Sequence, residues 1–214
     1  MEAVPSTSSA YPASLNIDYP DRPLNRLTSF FRIITVIPIA AILWLITSAN
    51  LDWGKTSSSW HMVLTGYGFL FLPLVLMILF RKKYPKWWYD WNLALVKFSF
   101  RVSSYLLLLR DEYPSTDEEQ AVHVEMSYPD AQMLARGMPL VKWFLAIPHY
   151  VVLYFLGIAA VVCWIIAWFA ILFTGRYPKG LFDFIVGVLR WSFRVQAYAW
   201  ILITDKYPPF SLVG

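Results

Sequence analysis

The chain has 214 residues, of which 58% are hydrophobic and only 15% charged, with a formal net charge of +4 and a mean hydropathy of +0.49. A soluble domain carries about 25% charged residues, so this deficit, together with 11 Trp and 13 Tyr, points to a lipid solvent with amphipathic aromatics at the span ends. It argues against a soluble enzyme or a nucleic-acid-binding protein. The single Cys163 allows no intramolecular disulfide.

The first residues have neither a basic nor an apolar signal region, so insertion is expected to rest on the first span. Residues 14–19, SLNIDY, alternate apolar and polar and predict a short half-buried strand. Pro20 and Pro23 end it. Arg22, Arg26 and Arg32 then flank a first predicted span over 30–47, which contains Pro38. A polar loop over 48–59 leads to a second predicted span over 62–80. That span ends in Arg81, Lys82, Lys83 and Lys86. A predicted helix over 87–109 and an acidic linker over 115–121 complete the first half.

The pattern then restarts. Residues 122–128, VHVEMSY, form a second alternating strand. Lys142 stands six residues before Pro148, as Arg32 stands before Pro38. Arg176-Tyr177-Pro178-Lys179 answers Lys83-Tyr84-Pro85-Lys86, Phe193-Arg194-Val195 answers Phe100-Arg101-Val102, and Asp205-Lys206-Tyr207-Pro208 answers Asp111-Glu112-Tyr113-Pro114. The shared order predicts a tandem duplication, with modules 1–114 and 122–214. Pairing of the two strands would give a small cytoplasmic two-stranded sheet; their direction is not readable.

The run 143–174 has no formally charged residue. By analogy with the first half it is expected to be a hairpin within 141–174, turning near Gly157. One long tilted helix is the rival. Two hairpins leave only Lys55 of the Lys and Arg residues on the far side, as the positive-inside rule favours. The expected fold is therefore an all-α integral membrane protein of two tandem modules. Each has a strand, a transmembrane hairpin and an amphipathic interfacial helix (87–109 and 180–204), making four membrane helices. The expected location is the inner membrane, multi-pass, with both termini cytoplasmic.

The third segment of each half carries a stripe at spacings of four, three, four and three. Asp90, Ala94, Lys97, Arg101 and Ser104 form the first; Asp183, Gly187, Arg190, Arg194 and Ala197 form the second. On a helix each is one narrow polar face. Lys97, Arg101, Arg190, Arg194, Arg176, Lys179, Lys83 and Lys86 are therefore candidate contacts for anionic lipid or a small anion. A stripe lining the seam between the halves is the competing placement. His149 is an ionisable group inside an apolar run and so a candidate intramembrane polar site. The first half has Ile39 there, which favours a satisfied structural histidine. No catalytic constellation, metal set or cofactor motif is found: Gly66-Tyr67-Gly68 is too short for a phosphate loop, and the three histidines are far apart.

The stretches LAIPHYVVLYFLGIAA, WFAILFTGRYPKGLFDF and RWSFRVQAYAWILITDKYPPF resemble a bacterial integral membrane protein family known only as domain of unknown function 4389. The start of the first half, YPASLNIDYPDRPLNRLTSFFRIITVIP, resembles the start of that family's unit. The resemblance implies membrane residence and a duplicated unit, and supplies no activity. The first half departs from it at RKKYPKWWYDW, where the second has TGRYPKGLFDF. The expected function is a non-catalytic membrane scaffold or accessory subunit that binds lipid, a membrane-protein partner or a second copy. The alternative is a small-anion or lipid transporter with a polar site at the seam.

Overall fold

The computed structural model describes residues 11–50, 63–65, 74–116 and 118–213. The two alternating segments form β1 (Ala13–Ile17) and β4 (Val122–Met126), and they pair antiparallel with Leu15 opposite Val124. The alternation explains the burial. Ala13, Leu15, Ile17, Val122, Val124 and Met126 point into the core, while Ser14, Asn16, His123 and Glu125 face out. A second short pair, β2 (Ser48–Asn50) with β3 (Val63–Thr65), is also antiparallel.

The helices are α1 (Arg26–Phe30), α2 (Arg32–Thr47), a π-helical turn α3 (Met77–Arg81), α4 (Lys86–Leu106), α5 (Met138–Leu145), α6 (Ile147–Thr174) and α7 (Lys179–Ala199). Asn25 caps α1 through Oδ1, which accepts from the backbone N–H of Leu27 and Thr28. Pro85 and Pro178 stand at the N-caps of α4 and α7 with extended backbone. The Tyr-Pro pairs thus act as helix starters.

The expected four membrane helices are not found. Among the described residues one helix, α6, is long and apolar enough to cross a membrane. The hairpin expected over 141–174 is instead α5 followed by α6, a continuous helix of 28 residues, or about 42 Å at 1.5 Å per residue. Gly157 stays helical, and the only glycine with positive φ among the described residues is Gly175 at the helix end (φ 73°). A turn near Gly157 would free up to about eight backbone groups in a stretch without Ser, Thr, Asn or Asp to satisfy them. The first expected span is the 16-residue α2, about 24 Å long, which is short of a hydrocarbon core of about 30 Å. Most of the second, 62–80, lies outside the described residues. Its described parts are β3 and α3, with a short helical stretch leading into α3.

The helices expected to rest in the interface, α4 and α7, lie inside the molecule. α7 packs on β1 and on α6; α4 packs on β4 and on α2. The two neighbours of α7 share its surface, and Ala167 and Ile171 in the second half of α6 join the same core as the sheet. Phe182, Val186, Phe193 and Ala197 join the core under the sheet, whereas Trp191, Val195 and Tyr198 meet the first turns of α6.

Contacts recur at corresponding positions of the two halves. Arg32 pairs with Asp111, and Lys142 with Asp205. The N–H of Asn25 donates to Asp111 Oδ2, and that of Ala135 to Asp205 Oδ2. Arg32 lies over the Tyr105 ring and Lys142 over Tyr198. Tyr84 donates across the molecule to the Ile201 carbonyl at 2.8 Å, and Tyr177 to that of Leu107 at 3.5 Å. Phe100 and Phe193, themselves corresponding residues, meet edge to face at 5.3 Å.

Candidate functional site

The most unusual surface belongs to α6. Its inward stripe runs from His149 through Leu153, Leu156, Ala160 and Trp164 to Ala167 and Ile171. The spacing of three and four is that of one helix face against a neighbour. The remaining circumference is apolar and open, with Val151, Tyr154, Phe155, Ile158, Val162 and Phe169 each at least half exposed. Only His149, Ala167 and Ile171 of its 28 residues are buried. The core helix of a soluble protein would be mostly covered. α2 repeats the arrangement: Val36, Ile39, Ala40 and Leu43 pack with Phe98, Val102 and Tyr105 of α4, while Ile33, Ile34, Ile37 and Leu45 are exposed. Monomeric soluble proteins rarely leave such contiguous apolar area uncovered.

Exposed cations stand where α6 ends. Arg176 and Lys179 follow Gly175. Arg26 lies beside that glycine, its Nε 3.5 Å from where a Cβ would stand. Cations at a helix C-terminus complement its dipole. Lys83 and Lys86 occupy the corresponding corner of the first half and are also exposed. These four predicted contacts are thus placed in two corners, both open to a partner.

The stripe arginines are placed differently. Arg194 is 4% exposed, and its guanidinium donates to the Ser211 and Val213 carbonyls at 3.3 and 2.8 Å. Arg190 donates to the Leu15 carbonyl at 2.9 Å and to that of Leu212 at 3.3 Å. The chain's final segment is thus held against α7 by its own carbonyls. Gly187 makes this approach feasible, because a Cβ there would stand 2.9 Å from Leu212 Cβ and 3.0 Å from its carbonyl oxygen. Arg101 is 8% exposed and donates to the Ser115 carbonyl at 2.7 Å. Lys97 is half-buried beside it, lining a shallow pocket with Glu119, His123 and Glu125. The structure therefore aims Arg101, Arg190 and Arg194 at carbonyls of their own chain, while Lys97 faces acidic side chains.

His149 is fully buried at the first turn of α6. Its Nδ1 accepts from the Trp191 indole N–H at 3.1 Å, which leaves the ring proton on Nε2 in the neutral form. Phe210 stacks on the ring at 4.0 Å between centroids, and Tyr207 lies at 4.8 Å. The histidine is a packed junction between α6, α7 and the tail. Among the described residues, no three His, Cys, Asp or Glu side chains group as a metal site would need.

Sequence reasoning missed the two buried ion pairs. Lys142 is fully buried, 2.7 Å from Asp205 and 2.7 Å from the Thr204 carbonyl. Both members recur in the two halves (Arg32 with Lys142, Asp111 with Asp205), and that joint recurrence was the available signal.

Among known proteins, residues 138–211 match the family model described as Domain of unknown function (DUF4389). No curated protein and no solved structure gives a match to the chain. The matched residues make up about a third of the chain and take in α5, α6, α7 and the tail as far as Ser211, so that part of the chain is similar to a family whose function is unknown.

Proposed function

We propose that this protein is a non-catalytic membrane protein, a scaffold or accessory subunit that seats its apolar helices in lipid and presents a folded polar body to a partner. The observation that carries this is α6: 28 residues, without a formal charge, of which half are exposed and only His149, Ala167 and Ile171 are buried. Burying that surface in lipid removes apolar area from water, the main drive for membrane association. The exposed cations Arg176, Lys179, Lys83 and Lys86 are suited to anionic headgroups.

The reading includes a tandem duplication of the unit that residues 138–211 resemble. It is supported by the recurrence of ion pairs, caps and cross-molecule tyrosine contacts at corresponding positions. The transport alternative finds less support, since Arg101, Arg190 and Arg194 are engaged by carbonyls of the same chain.

The test is isolation of the full chain under mild detergent after washing of the membranes at high salt, which removes proteins held by charge alone. Retention in the washed membrane together with a co-purifying membrane protein is the expected result. Release into the wash would refute membrane seating, and a lipid-bound monomer with no companion would refute the scaffold role.

A further inference from the structure

We propose that α6 lies along the membrane surface rather than across the bilayer, with its open face in the lipid and the β1–β4 side of the molecule in water. This rests on the membrane reading above and specifies how the lipid is met. The lipid is a bilayer surface carrying anionic headgroups.

Both ends of α6 are tied to one body. At its start His149 meets Trp191 and Phe210, and Tyr207 donates to the carbonyl of Leu145 just before the helix, at 3.0 Å. Toward its end the Trp168 indole donates to the Ser29 carbonyl at 3.2 Å, and the N–H of Leu24 donates to that of Gly175 at 2.9 Å. Between these ties α7 runs alongside, antiparallel. If α6 crossed the bilayer, α7 would have to cross with it.

The sheet packed on α7 forbids that. Arg190, in the second half of α7, donates to the carbonyl of Leu15, the central residue of β1. The sheet therefore sits over the body of α7, not beyond its end. Among the described residues it has only two strands, each with an edge that pairs with no other strand, and its outer face carries Ser14, Asn16, His123 and Glu125. Open sheet edges facing lipid do not occur within hydrocarbon. With α6 along the surface the conflict vanishes: the open apolar face sinks to the level of the acyl boundary, as interfacial helices do, and the sheet stays wet. The charge arrangement agrees. Arg26, Arg176 and Lys179 stand at the end of α6, beside the exposed Phe169 and Phe173, whereas Glu118, Glu119 and Glu125 are exposed around the sheet.

The test uses the full chain with Cys163→Ala, carrying single cysteines in turn at Val151, Tyr154, Ile158, Val162, Ile165 and Phe169. Each is spin-labelled and reconstituted in phosphatidylcholine–phosphatidylglycerol vesicles. Flotation is measured first, then collision with oxygen and with a water-soluble nickel chelate. Shallow and nearly uniform depths at all six positions, without a maximum near Ile158, are expected, because the six share one face of the helix. Depth climbing from both ends to a maximum near Ile158 would overturn the inference and keep the membrane reading. Flotation with every label open to the nickel chelate would also overturn it. Failure to float would overturn the membrane reading itself. Circular dichroism of each labelled variant, and a parallel set in Cys163→Ser, screens out misfolded samples.

Discussion

At the scale of single residues, the buried cations are where stability is most exposed. Burial draws the pKa of Lys142 down while Asp205 and the hydrogen bond to it resist. Removing one partner of a buried pair leaves an uncompensated charge, at a cost of about 3–5 kcal/mol. Asp205→Ala is therefore expected to lose that much in chemical denaturation, whereas Lys142→Met with Asp205→Leu should lose much less. A near-neutral Asp205→Ala would contradict the pairing. Gly187 poses a different balance. Alanine favours the helix by about 1 kcal/mol over glycine, but its Cβ would meet Leu212, backbone included, and overpacking costs about 1–3 kcal/mol, which displacing the tail relieves. Gly187→Ala should leave α7 helical and free the tail. Faster proteolysis after Pro208 reports this, and unchanged proteolysis would refute the contact.

At the scale of elements, the tyrosines that precede helices α4 and α7 link the two halves. Burial pushes the phenols of Tyr84 and Tyr177 well above their ordinary value. A group whose folded pKa is raised stabilises the fold below its unfolded pKa, and that contribution is lost as pH rises past about 10. The protein should thus lose stability above pH 10, with tyrosinate absorbance from these two rings appearing only on unfolding. Tyr84→Phe with Tyr177→Phe should flatten the alkaline limb, and an unchanged limb would refute the assignment. The strands were legible in sequence because alternation maps directly onto one buried face. The Tyr-Pro pairs before α4 and α7 are legible in sequence as recurring segments but not as tethers, because their hydroxyl partners lie 117 and 70 residues away. The hairpin was misread for a physical reason. The positive-inside rule puts Lys142 and Lys179 on one side of a membrane, which for a spanning run requires a turn near Gly157. A straight helix lying along the membrane surface, as proposed above, would keep both ends on one side without that turn.

At the scale of the whole molecule, the halves are interlocked rather than strung together. β1 of the first half packs on α7 of the second, and β4 of the second on α4 of the first. Tyr19 donates to the Tyr177 carbonyl and Tyr128 to that of Tyr84, and the core under the sheet draws on both halves. The recurring sequence pattern leads to an expectation of modules 1–114 and 122–214, because repetition would report ancestry. Repetition is silent about which copy completes the fold of the other. Severing the chain within 115–121 should therefore give two fragments that do not fold alone, because each lone strand loses its partner and its covering helix, and single strands are unstable in isolation. Co-expressed, the fragments should associate and recover the helical signal and thermal transition of the intact chain. A fragment spanning 122–214 that unfolds cooperatively by itself would show that the second half is self-sufficient, and would overturn the interlocked account.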